Sequence, residues 1–351
     1  MKKPSRVLSI IAALALTSAF GVAGVHGDGR DSRERDRERE ARGVPKWKVN
    51  LIESCTIADV PAGAFIPDRA FIPGSTSPDH NQVFFQLPVN YGVIRNGREI
   101  VLYDTGIQPS TERPPHVDLV NLIGCVHWVP IRQQLLQLGI SPEEVSKIVL
   151  GHGHWDHAGQ LDQFPHAVIF IQEEELRGIE DGLNLPAPLN RVNTDPPGSW
   201  PGGPLPAGCA RTPACGYPPA TVAQIFEKVA NDMAEIVDGR EQIAPGLIVH
   251  PAFRGHTAGS QLLQVNTSIG QVLFGSDTYS SWTGIKRLLA ANIRQTDTVQ
   301  QFLAYAKCIN ITGNGDTCVS AHEPLSYTSG YPLTQRPCPG VTGFRCAVIA
   351  D

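Results

Sequence analysis

The chain has 351 residues, with 29 Lys and Arg against 34 Asp and Glu, 41% hydrophobic and 18% charged residues. These values exclude an intrinsically disordered or collagen-like chain. The one long apolar run lies at the N-terminus and is too short, and wrongly flanked, for a membrane protein.

That run is Val7 to Ala19, preceded by Lys2, Lys3 and Arg6 and followed by Gly21, Ala23, Gly24 and Gly27. A basic start, an apolar middle and a small-residue exit predict a secretory signal peptide over 1–27, cleaved between Gly21 and Gly27. A signal anchor is the alternative. Removal of the signal leaves 26 basic side chains against 34 acidic ones, a net charge of −8. A mature chain that acidic is a poor partner for nucleic acid or an anionic membrane. Residues 28–42 alternate six acidic and six basic side chains with almost nothing apolar. They read as a solvated tether, with an ion-paired helix as the alternative, and carry no catalytic role.

The remaining 43–351 is within reach of one layered domain of helices and strands. Eight cysteines fall in it, and an even count in an exported chain favours disulfides. Proximity in sequence suggests Cys209–Cys215, Cys308–Cys318 and Cys338–Cys346, which leaves Cys55 for Cys125. None has the C-x-x-C spacing of a zinc or redox site.

In chain order, Val83 to Ile94 and Glu99 to Tyr103 flank Asn96-Gly97 and predict a β-hairpin that ends in Asp104-Thr105-Gly106. Ile131 to Leu138 has helical spacing, and Ser141-Pro142-Glu143-Glu144 is a capping box that starts a short helix. Ile148 to Leu150 and Val168 to Ile171 read as buried strands. Residues 185–219 hold ten prolines and five glycines. They read as an insertion packed near the mouth of a site, or as a surface loop. Thr221 to Met233 and Thr296 to Lys307 read as helices. Leu247 to Val249, Gln261 to Val265 and Gln271 to Phe274 read as strands. The sum is mixed α and β.

The chemistry concentrates in Gly151-His152-Gly153-His154-Trp155-Asp156-His157, directly after a strand. Two histidines two apart share a face of extended backbone, while Asp156 and His157 are adjacent and point to different places. A tight loop can therefore aim His152 and His154 at one metal and Asp156 and His157 at a second. Imidazole with carboxylate suits zinc, with iron or manganese as other options. Further ligand types stand at strand ends: His256 in Gly255-His256-Thr257-Ala258-Gly259-Ser260, Asp277 after Ser276, and His322 in Ala321-His322-Glu323-Pro324. His26, His80, His116, His127, His166 and His250 match no ligand motif.

The ordered set H-x-H-x-D-H, G-H-T-x-G-S, the later S-D and the final A-H, with D-T-G at 104–106, resembles the metallo-β-lactamase superfamily over about Val83 to Pro324. The resemblance implies an α+β fold, a four-layer αβ/βα sandwich, with two metals. His152, His154 and His256 would bind the first, Asp156, His157 and His322 the second, and Asp277 would bridge them. Asp104 itself reads as orienting a ligand histidine or capping the loop rather than binding metal. β-Lactamases of this superfamily lack the bridging aspartate, so Asp277 points away from β-lactam hydrolysis.

The stretches PVNYGVIRNGREIVLYDTGI, FPHAVIFIQEEEL and AHEP look most like the N-acyl-homoserine lactonase branch. That branch implies a hydrolase with two zinc ions, and the signal peptide implies a secreted or periplasmic location. Between them the metals would hold a water ionised near neutral pH that opens a small-molecule lactone or ester. Asp156 and Asp277 would be its catalytic carboxylates, and Tyr279 a candidate helper in proton transfer. A thioesterase or arylesterase on the same centre, and a one-iron dioxygenase of the same fold, are the competing readings.

Overall fold

The computed structural model describes residues 43–61, 84–107, 125–184, 216–279, 281–290, 297–328, 331–333 and 336–351. The signal peptide, the charged tether, the Cys209/Cys215 pair and most of the proline-rich insertion lie outside them.

The first strand, β1 (Lys48–Pro61), pairs antiparallel with β2 (Phe84–Asn96), which turns through Asn96-Gly97 into β3 (Glu99–Tyr103). Gly97 takes a positive φ of 59°, as the two-residue turn demands. After β4 (Cys125–Val126) and helix α1 (Ile131–Gln137), the chain makes the expected capped turn at Pro142–Glu144. There Ser141 N–H donates to Glu144 Oε2 at 2.8 Å. Strands β5 (Lys147–Val149) and β6 (Val168–Gln172) follow, then helices α2 (Glu173–Leu183) and α3 (Pro219–Ala230). Strands β7 (Ala234–Val237), β8 (Glu241–Ala244), β9 (Leu247–Pro251), β10 (Gln261–Thr267) and β11 (Gly270–Phe274) come next. Helices α4 (Trp282–Arg287) and α5 (Thr298–Thr312) precede β12 (Cys318–Val319), β13 (Arg336–Pro337) and β14 (Cys346–Ala350).

The strands form two mixed sheets. One runs β13-β14-β1-β2-β3-β5-β6-β7, with β4 alongside β1; the other runs β12-β11-β10-β9-β8. Side chains alternate between two cores, because successive residues of a strand face opposite sides. Val101, Tyr103, Val149 and Phe170 meet Val249, Leu263, Val265, Val272 and Phe274 between the sheets. Ile100, Leu102, Ile148 and Ile169 face the other way, onto Ile131, Leu135, Ile179 and Ile225 of α1, α2 and α3. Leu262 and Leu273 face Ile285, Ala304, Tyr305 and Cys308 of α4 and α5. Helices, sheet, sheet and helices make the four-layer αβ/βα sandwich. Strands covered on both faces read as continuous apolar runs, which is why they were legible in the sequence.

Disulfides join Cys55 to Cys125, Cys308 to Cys318 and Cys338 to Cys346. They tie β1 to β4, α5 to β12, and β13 with β14. In an open sheet of parallel strands, ligands gather outside the carboxyl ends. Here β3, β5 and β6 are parallel, and so are β11 and β12. The loops after β3, β5, β11 and β12 therefore meet at one edge, where β9 turns into β10.

Candidate metal centre

The loop after β5 carries His152, His154, Asp156 and His157, and the loop after β3 holds it in place. Thr105 N–H donates to the His157 carbonyl at 2.7 Å, and Gly159 N–H donates to Gly106 O at 3.1 Å. Thr105 Oγ1 bonds the Gly159 carbonyl. Trp155 packs beneath the loop, beside Cys55, Ile57, Leu87, Val89 and Ile107.

Two groups of ligand atoms result. One joins His152, His154, His256 and Asp277; the other joins Asp156, His157, Asp277 and His322; within each, the atoms lie within 4.8 Å of one another. Asp277 belongs to both, and its two oxygens divide the work. Oδ1 is 3.0 Å from His157 Nε2 and 2.9 Å from His322 Nε2, while Oδ2 is 3.2 Å from His256 Nε2. Asp156 Oδ2 stands 3.4 Å from both His157 Nε2 and His322 Nε2. In the first group His256 Nε2 approaches His154 Nδ1 at 3.2 Å. All seven residues expected from the sequence are thus brought together.

The residues fit a dinuclear metal site. His152 Nε2 is buried without a hydrogen-bond partner, and the buried atoms His157 Nε2 and Asp277 Oδ1 have other ligand atoms as their neighbours. Buried polar atoms are normally satisfied, and a cation among them would serve that need. Asp277 is the more exposed of the two ligand carboxylates, at 15% side-chain exposure against 10% for Asp156.

For three of the histidines the far nitrogen explains which nitrogen faces inward. His157 Nδ1 lies 3.0 Å from Asp104 Oδ2, His322 Nδ1 lies 2.7 Å from the Pro88 carbonyl, and His152 Nδ1 lies 3.2 Å from Ser276 Oγ. Acceptors at Nδ1 fix the tautomer that presents Nε2. Asp104 also accepts from Gly151 N–H at 2.6 Å and from Ser276 Oγ at 2.8 Å. Asp104 and Ser276 both sit in the left-handed region, with φ of 62° and 47°. Their bond to each other helps to hold two conformations that cost about 1–2 kcal/mol each.

Electrostatics follow the same map. Burial raises the Asp277 carboxyl, but His322, His157 and His256 outweigh it and hold Asp277 well below the usual carboxylate range. Burial likewise raises Asp156, and His157 and His322 bring it well below that range. The opposite holds for the imidazoles. Burial lowers His322, yet Asp277 and Asp156 push it up to about 10. Asp156, Asp277 and Asp104 similarly hold His157 well above the histidine range. Burial and the neighbouring imidazoles His157, His154 and His256 keep His152 well below it.

Tyr279 is not part of the centre. Its side chain is fully buried among Leu262, Leu273, Ile285 and Tyr305, and its hydroxyl reaches the Ala304 carbonyl at 3.5 Å. The short turn Ser276–Thr278 sends Asp277 to the two ligand groups and Tyr279 to the α5 layer. His250 is likewise outside, bonded to Gln264 Oε1 at 2.7 Å. The sequence reading missed Glu175, a fully buried carboxylate beside the first ligand group. It lies in an acidic run, Glu173-Glu174-Glu175, that reads as a solvated helix start. The available signal was helical spacing, since Glu175 falls on the buried face with Ile179 and Gly182.

Residues 85–282 match the metallo-beta-lactamase superfamily. The chain belongs to that superfamily. A curated relative, the N-acyl homoserine lactonase AiiB of Agrobacterium fabrum, is 33% identical over 104 residues, which is 28% of this chain and 37% of the relative. The match thus spans little more than a third of that relative's length. Among solved structures, a probable metal-dependent hydrolase from Staphylococcus aureus superposes with a TM-score of 0.57 at 13% identity, covering 80% of this chain and 90% of the other. The dizinc quorum-quenching lactonase AidC superposes at 0.51 and 14% identity, covering 88% and 95%. At such identities the superpositions establish the fold.

Proposed function

We propose that the protein is an exported dizinc hydrolase that opens small lactones, N-acyl-homoserine lactones foremost. The observation that carries this reading is Asp277, whose two oxygens face different ligand groups. A shared carboxylate serves a two-metal hydrolase, and the family's β-lactamases lack it. The matched relative named as a lactonase supports the substrate class.

In this reading His152, His154 and His256 hold one zinc, Asp156, His157 and His322 the other, and Asp277 both. When bound, the metals supply Lewis acidity and lower the pKa of a coordinated water toward neutrality. The chain's own residues supply position and proton handling. Asp104, Ser276 and the Pro88 carbonyl keep the imidazoles in the ligating tautomer. Asp156 accepts the proton released by the attacking water and returns it to the departing ring oxygen. Water adds across the ester C–O bond, giving a hydroxy acid that releases a proton at neutral pH.

Residues 1–27 serve as the signal peptide, 28–42 as the tether and 43–351 as the catalytic domain, with 185–219 inserted. Three disulfides suit an oxidising compartment, and among the described residues no helix is long and apolar enough to cross a membrane.

A proton-release assay tests the reading. Oxidised, zinc-loaded mature protein is offered acyl-homoserine lactones of several chain lengths, aryl esters and a thioester. The expected result is fast lactone turnover that Asp277→Ala abolishes. Turnover of esters or thioesters with silence on lactones would discard the lactonase and keep the hydrolase.

A further inference from the structure

The first turn of α2 holds three glutamates with different fates. Glu173 and Glu174 are exposed and pair with Arg177 at 2.6 and 3.1 Å. Glu175 is fully buried, and no lysine or arginine pairs with it among the described residues. A buried carboxylate is expensive unless its oxygens are saturated with donors. Glu175 meets that condition. Oε1 accepts from Gly153 N–H at 2.8 Å and Tyr217 OH at 2.6 Å. Oε2 accepts from Thr257 Oγ1 at 2.7 Å and Gly259 N–H at 2.9 Å.

Three of the four donors adjoin a ligand of the first group. Gly153 lies between His152 and His154, and Thr257 follows His256. The Tyr217 ring meets the His154 ring edge-on with centroids 4.7 Å apart. The approach is at backbone level, since a Cβ on Gly259 would fall 2.1 Å from Glu175 N. On the other side of His154, a Cβ on Gly216, at φ 98°, would fall 2.3 Å from the imidazole. The second group is secured elsewhere, by Asp104 on His157 and the Pro88 carbonyl on His322.

We infer that Glu175 is a positioning residue dedicated to one metal. By clamping the loop of His152 and His154 to the loop of His256, it sets the geometry of the three-histidine site and leaves the Asp156, His157 and His322 site untouched. The inference rests on the two-metal reading above. No side chain of similar size replaces Glu175. Each of its oxygens accepts a backbone N–H, so a glutamine in either orientation turns its NH2 against a donor that cannot rotate away. Tyr217 and Thr257 supply the two movable donors, so their loss weakens the clamp by degrees.

The test is cobalt(II) titration followed by visible spectra, with His256→Ala and His322→Ala as single-site references that assign the bands. Wild type takes two metals. Glu175→Gln is expected to weaken the three-histidine step by about 10- to 100-fold, the usual effect of losing a partner behind metal ligands, and to leave the other step within about twofold. Tyr217→Phe, which keeps the ring against His154, weakens the same step less, and exposed Glu174→Gln changes neither. Equal weakening of both steps by Glu175→Gln would make Glu175 a general structural residue and overturn the inference, as would unchanged affinities. If Glu175→Gln does not fold, Tyr217→Phe decides, and an unaltered three-histidine step overturns the inference. Failure of wild type to bind two metals would instead refute the two-metal reading itself.

Discussion

The two ligand groups grow from one six-residue loop, yet they are held in place from opposite sides. The three-histidine group leans on α2, α3's entrance and the β9–β10 turn through Glu175, Tyr217 and Thr257. The carboxylate-rich group leans on the β2–β3 hairpin through Asp104 and the Pro88 carbonyl. Asp277 joins the two supports, and so do Asp104 and Ser276: Ser276 Oγ lies 3.2 Å from His152 Nδ1 and 3.0 Å from His157 Nδ1, and Asp104 accepts from Gly151 N–H beside His152. A two-metal centre built this way has two separable affinities and one shared ligand.

The largest effect expected is at the shared ligand. Asp277→Ala should weaken both metals together and lower the proposed lactone turnover by more than about 1,000-fold, the scale for removing one member of a catalytic unit. Full metal content in that variant, measured by elemental analysis, would show that the aspartate does not bridge. Asp104→Asn should come next. Its Oδ1 can still accept from Gly151, but an amide NH2 replaces the oxygen facing His157 Nδ1, and the second metal should weaken by about 10- to 100-fold. Loss of the three-histidine metal instead would reverse the comparison.

A smaller effect is linked to protons. His322 is pushed up to about 10 in the absence of metal, so at pH 7 it carries a proton that a metal must displace. Metal binding should release protons, measurable by calorimetry in buffers of different ionisation enthalpy, and affinity should rise with pH toward 10. The sign for stability is the reverse. A raised folded-state pKa stabilises fully below the unfolded value near 6.5 and loses that contribution as pH rises toward 10. The metal-free protein should therefore melt at a lower temperature at pH 9 than at pH 6.5. The smallest effect is at Tyr279, where Phe removes one hydroxyl bond, to the Ala304 carbonyl in the α5 layer. Turnover should be unchanged and stability should fall by no more than about 1.5 kcal/mol.

Much of the centre was legible because it is local. His152, His154, Asp156 and His157 announce themselves by spacing, and Ile148, Ile169 and Val272 read as buried strands because both faces are covered. What escaped depends on distant partners. Strand β1 buries Glu53, Ser54 and Thr56, which break any alternation, and Arg345 next to β14 is what bonds Glu53 and Thr56. The edge strand β8 has exposed Glu241 and Gln242 and little apolar signal. Glu175 was hidden by its exposed neighbours, since the donors that offset its burial, on Gly153, Tyr217, Thr257 and Gly259, lie 22 to 84 positions away.

The most direct measurement is the zinc stoichiometry of the mature, oxidised protein by native mass spectrometry under titration. Two zinc ions per chain, bound in two resolved steps, are predicted. A single step that saturates at one ion would contradict the two-group centre and the hydrolytic reading built on it.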